Sequence, residues 1–168
     1  DLAPIEKQSL LDRLLTGQYS MDDADLFRAQ MMTEMAGLAV EDGLVMQLHA
    51  GARRNTDPSL MAERGADLGA DIPSRVNYVD GLAPLLARFG NEPNLRLIMF
   101  TLDETNYARE LAPMAGFWPS LLIGPPWWFH DSPQGIRRYL DQVVESAGFY
   151  NLAGFNDDTR ALLSIPAR

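Results

Sequence analysis

Chemistry at neutral pH needs groups that exchange protons or hold charge, and this sequence gathers them at three places. The first is His49, which ends the apolar run Leu44-Val45-Met46-Gln47-Leu48 and is followed by Ala50-Gly51-Ala52-Arg53-Arg54-Asn55. A histidine at such a point can serve as acid, base, metal ligand or donor to a substrate oxygen, or it can be a structural residue at a loop start. Arg53 and Arg54 carry guanidinium forks that match a carboxylate or phosphate, although surface arginines are common. The second place is Gly124-Pro125-Pro126-Trp127-Trp128-Phe129-His130. Three consecutive aromatics cannot all enter one core, so at least one is expected to wall a pocket or pack over the top of the fold. His130, just before Asp131 and Ser132 at a helix start, reads as structural. The third place is Asp157-Asp158-Thr159-Arg160. In extended backbone, residues two apart share a face, which puts Asp158 and Arg160 on one side about 7 Å apart at Cα. Such a carboxylate can bind a divalent metal or move a proton while the arginine holds a substrate carboxylate or keeps the Asp ionised. A turn with an exposed ion pair is the plainer alternative.

Those groups matter only if the chain brings them together. Four short, nearly continuous apolar runs, Leu44 to Leu48, Leu95 to Phe100, Ser120 to Gly124 and Leu152 to Phe155, have the pattern of strands buried on both faces. Helical segments separate them at about Val79 to Phe89, Thr105 to Ala115, and Ser132 to Ala147, the last with Pro133 suited to a first helical turn. This alternation predicts a parallel α/β architecture of (β/α) units, in which chemistry gathers at the C-terminal ends of the strands. Residues 1–42 read as a helical segment and 43–168 as four strand-helix units. In the first segment, Leu10, Leu11, Leu14 and Leu15 have helical spacing, and a break follows at Thr16 to Tyr19. A second helix opens with Ser20 as N-cap and Asp22, Asp23 and Asp25 in its acidic first turn. Capping alone explains those acids without a metal. Asp103, after the second strand, is expected to cap the next helix.

Composition narrows the function classes. With 46% hydrophobic residues in 168, the chain can bury a core without crosslinks, and zero cysteines exclude disulfides, thiolate nucleophiles and zinc-finger chemistry. Fourteen basic against 23 acidic residues leave a net charge of −9, which disfavours nucleic acid and anionic membrane as partners. The apolar stretches are too short to span a bilayer, and Asp1-Leu2-Ala3-Pro4-Ile5-Glu6 has no basic segment leading into an apolar run. A cytoplasmic location is the expectation.

In this order, Met46-Gln47-Leu48-His49-Ala50-Gly51-Ala52-Arg53-Arg54-Asn55, Gly124-Pro125-Pro126-Trp127-Trp128-Phe129 and Asp157-Asp158-Thr159-Arg160-Ala161-Leu162-Leu163-Ser164 resemble the uronate isomerase (glucuronate isomerase) family over nearly the whole chain. The resemblance implies the amidohydrolase-type (β/α)₈ TIM barrel. It also implies interconversion of D-glucuronate with D-fructuronate, and of D-galacturonate with D-tagaturonate, in hexuronate breakdown. On matching positions it makes Asp158 the strand-end carboxylate that binds the divalent metal, zinc or manganese, and serves in proton transfer. Arg160 contacts the uronate, His49 faces the substrate, and Trp127 and Trp128 form an aromatic pair at the pocket. Arg53 and Arg54 receive no role from the resemblance and stand as substrate-binding candidates on their chemistry.

Two features depart from the family pattern. The family carries a His-x-His metal pair after its first barrel strand, whereas His49 and His130 are the sole histidines here. An eight-stranded barrel also takes about 250 residues. The expectation is therefore the C-terminal half of such a barrel, with two unpaired strand edges that favour a homo-oligomer or self-association, and with no turnover by this portion alone. The rival readings are a non-catalytic α/β module that binds a sugar acid or a protein partner, and a metal-dependent hydrolase of the same superfamily. Convergence of His49, Asp158 and Arg160 on one rim distinguishes the isomerase.

Overall fold

The computed structural model describes residues 2–126, 130–154 and 162. It opens with two helices, α1 (Pro4–Leu15) and α2 (Met21–Asp42). Ser20 caps α2 by accepting from the Asp23 amide, and the Asp23 carboxylate accepts in return from the Ser20 amide. Asp23 also takes the Arg13 guanidinium at 2.6 Å, which joins the end of α1 to the start of α2. These contacts pull its carboxyl down to about 2, the Arg13 hydrogen bond first and the Ser20 amide next. Gly43 ends α2 in the left-handed region at φ 65°, where glycine is strain-free.

The chain then enters β1 (Val45–Ala50), which pairs in parallel with β4 (Arg96–Thr101), which in turn pairs in parallel with β5 (Leu121–Ile123). The expected strand at Leu152 to Phe155 is seen within the described residues as one parallel bridge from Leu152 to Ile123; Phe155 lies outside them. The crossovers carry α4 (Tyr78–Phe89) and a composite helix made of α5 (Glu104–Asn106), a π-helical turn over Tyr107–Leu111, and α6 (Ala112–Phe117). α7 (Pro133–Ala147) follows β5, with Pro133 in its first turn as expected. Between β1 and α4 lies an excursion without strong sequence periodicity: β2 (Ala52–Arg53) pairs antiparallel with β3 (Ile72–Pro73) around the short α3 (Pro58–Arg64). Two-residue strands are too short to leave an alternation signal.

Sheet parity decides which face is core. Met46, Leu97, Met99, Leu121 and Ile123 share one buried cluster with Ala36 and Ala39 of α2, Leu82, Leu85 and Leu86 of α4, Ala112 and Ala115 of α6, and Tyr139, Val143 and Ala147 of α7. On the other parity, Val45, Gln47 and His49 of β1 and Arg96 of β4 are exposed, Ile98 is half-buried and Phe100 is buried. The described helices thus cover one face of a parallel sheet, a type that is ordinarily covered on both. Tyr107, fully buried on the π turn, reaches the strand ends from the core side. Its hydroxyl lies 3.0 Å from the Thr101 carbonyl and 3.1 Å from that of Gly124, to which it donates, and burial raises its phenol well above the ordinary range. None of the described helices is long and apolar enough to cross a membrane.

Tyr107→Phe removes the shared donor from these two carbonyls and is expected to lower unfolding free energy by about 1 kcal/mol in urea titrations, while Leu97→Ala in the core costs about 2–5 kcal/mol. A folded pKa of about 2 for Asp23, against about 4 in an unfolded chain, makes its contribution complete above about pH 4 and lost as pH falls towards 2. Asp23→Asn should flatten that part of the acid limb in a pH series of thermal melts.

Candidate active site

Three parallel strands end at a common rim. Register places His49 opposite Phe100 and Ala50 opposite Thr101, and the Gly124 amide donates to the Met99 carbonyl at 2.9 Å, so β5 stays level with β4 as it leaves the sheet. His49 stands on the face away from the helices. Its ring stacks on Phe100 with centroids 4.3 Å apart and planes at 29°, and Nε2 lies 3.4 Å from the Gln47 side-chain oxygen on the same strand face. Partial burial pushes the imidazole pKa down from its ordinary value, which favours the neutral, proton-accepting form near neutrality.

The turn after His49 is held tightly. Gly51 has φ 89°, and a Cβ there would lie 2.5 Å from the Thr101 hydroxyl oxygen, so the chain leaves β1 in close contact with the end of β4. Beyond it the two arginines differ. Arg54 pairs with Asp67 at 2.9 Å and with the buried Asp71 at 3.4 Å, and Asp71 also accepts from the Asn55 amide, which together close the excursion. Arg53, exposed on β2, makes no ion pair among the described residues. Trp127, Trp128, Asp158 and Arg160 lie outside the described residues.

Residues that appeared structural from sequence occupy structural positions. Asp103 caps the helix after β4 through the Thr105 amide at 3.0 Å. His130 is buried, with Nε2 3.1 Å from Glu104, and Arg138 of α7 donates to the same carboxylate at 2.7 Å. Arg138, followed by His130, holds the Glu104 carboxyl below its usual range, and the trio ties the segment after β4 to that after β5. Sequence reading missed Glu104, Arg138, Gln47, Phe100 and Tyr107 as rim-building residues. For Gln47 and Phe100 a signal existed: each has the strand parity that faces away from the helices. The others come together through tertiary packing and left none. Among the described residues, no group of three His, Asp or Glu side chains is placed to hold a metal. What the described rim offers is a partly dehydrated imidazole on an aromatic support, with an exposed arginine on the short strand that follows it.

Comparison with known proteins points the same way. The model of a family described as glucuronate isomerase matches residues 3–168. A uronate isomerase of Xanthomonas campestris pv. campestris (strain B100) is 61% identical over 168 residues, which is all of this chain and 36% of that relative. The crystal structure of glucuronate isomerase from Caulobacter crescentus superposes with a TM-score of 0.93 at 58% identity, over 99% of this chain and 35% of that one. That of uronate isomerase from Thermotoga maritima gives 0.88 at 30% identity, over 99% and 37%. The chain therefore spans little more than a third of the length of the relatives it matches, and its parallel α/β layout is that of part of a (β/α) barrel. With its motifs, its parallel strand rim and its superposition all in agreement, the chain belongs to the glucuronate isomerase family.

Proposed function

We propose that this chain supplies part of the active site of an enzyme interconverting D-glucuronate with D-fructuronate and D-galacturonate with D-tagaturonate. The observation that carries the reading is His49, exposed at the C-terminal rim of a parallel sheet within a segment that matches uronate isomerases along its whole length. An aldose-ketose conversion moves a hydrogen between C2 and C1 and a proton between their oxygens. Asp158 takes the C2 proton and returns it at C1; His49, neutral through partial burial, relays the proton between the two oxygens. Arg160 neutralises the uronate carboxylate. Arg53 is better suited than Arg54 to add to that charge, because Arg54 is engaged by Asp67 and Asp71. Trp127 and Trp128 wall the pocket. A divalent ion, zinc or manganese, bound through Asp158 belongs to the same proposal. Among the described residues, no three His, Asp or Glu side chains form a ligand set for it.

The chain also self-associates. Among the described residues β1 is paired on one side only, Leu44 and Val45 at its start are 61% and 53% exposed, and α2 carries the exposed Met31, Met35 and Leu38. An open strand edge next to apolar side chains favours pairing with another chain.

In a polypeptide of the relatives' length that carries this sequence, Asp158→Asn should cut glucuronate isomerisation by about 10²–10⁴-fold in a coupled assay; near-normal turnover would refute the assignment. The 168-residue chain alone, with or without added zinc or manganese, should show no turnover. Light scattering should give it a mass above the 18.7 kDa monomer, falling towards that value in Val45→Lys.

A further inference from the structure

We propose that Phe100 and Gly124 are positioning residues that set the orientation of the His49 ring at the rim, an inference that rests on the reading of His49 as a substrate-facing group. Two strand residues and the residue that follows β5 form a row across the face of the sheet away from the helices. His49 of β1 is in register with Phe100 of β4, and Gly124 continues β5 on the far side of Phe100. The imidazole lies against the phenyl ring at 4.3 Å, so one of its faces is covered and its plane is set by that of Phe100. The phenyl ring is buried, at 2% exposure. A Cβ on residue 124 would lie 2.0, 2.3 and 2.5 Å from three of its carbons, so the ring occupies space that only a glycine leaves vacant. The backbone on both sides is pinned as well, because the Tyr107 hydroxyl bonds the carbonyls of Thr101 and Gly124.

An imidazole exchanges protons only through nitrogens in its own plane, so fixing that plane fixes the directions from which a substrate oxygen is served. Gln47, two residues earlier on the same strand face, places its side-chain oxygen 3.4 Å from Nε2. The arrangement amounts to a rigid seat: a glycine makes room for the phenylalanine, and the phenylalanine holds the histidine.

The sequence holds two histidines, and His130 is buried away from Phe100 against Glu104, so the ring-proton NMR signals of His49 have an internal reference. In Phe100→Leu the His49 signals should lose the shielding of the stacked ring while those of His130 stay in place; in Phe100→Tyr both should stay. In the polypeptide of full relative length, Phe100→Leu and Gly124→Ala should each lower kcat by about tenfold to a hundredfold with a smaller change in KM, and Phe100→Tyr should retain kcat. Gly124→Ala with Phe100→Leu should be no worse than either alone, because both act by taking the ring from beneath His49. Should Gly124→Ala fail to fold, Phe100→Leu alone carries the test. Unchanged His49 signals or unchanged kcat in Phe100→Leu would overturn the seat. Full turnover by His49→Ala would instead overturn the reading of the site, and with it any catalytic use of the seat.

Discussion

The parallel register of β1, β4 and β5 is the constraint from which the remaining geometry follows. Parallel pairing makes successive strands end on the same side, and the pairings Met46 with Leu97 and Leu97 with Leu121 fix the height at which each one stops. A slip of one residue in β1 would turn Met46 and Leu48 away from the helices and bury Gln47 and His49 in their place. The core excludes that slip, since it would exchange apolar contacts for polar groups without partners. Burial of leucine and methionine on one face therefore determines where an imidazole stands on the other.

The two faces of the sheet have separate roles that meet at its C-terminal rim. On the helical side, Tyr107, the first residue of the π turn, spans the ends of β4 and β5 from within the core through its hydroxyl. Tyr78, buried at the start of α4, gives its amide to Glu110 of the same turn, so that helix start is fixed by the residues that support the rim. On the other side lie His49, Phe100 and Gln47. The rim is thus braced by elements that touch no reacting group, consistent with a site that must hold its geometry to fractions of an ångström.

Much of the fold was legible in the sequence because its signals are local. The leucine spacing of α1, the Ser20 cap and acidic first turn of α2, the break before Met21, the proline that opens α7 and the apolar runs of β1, β4 and β5 all depend on neighbours within a few residues. The excursion from Ala52 to Pro73 was not legible: its strands are two residues long, and the contacts that close it join Arg54 and Asn55 to Asp71 across the loop. The site divides in the same way. His49 could be found as the residue ending a strand, whereas the different situations of Arg53 and Arg54 depend on acids 13 and 17 positions beyond Arg54.

What the residues determined by themselves was the class of architecture, the strand ends at which chemistry would gather, and the motifs that resemble uronate isomerases. Side-chain parity, capping chemistry and charge are properties of short segments and need no partner. Only the folded chain decided that the phenyl ring of Phe100 lies beneath His49 in space vacated by Gly124, and that Glu104, His130 and Arg138 form one cluster. Such contacts join residues far apart in the chain, and their geometry is set by packing density and strand register, which no local pattern encodes.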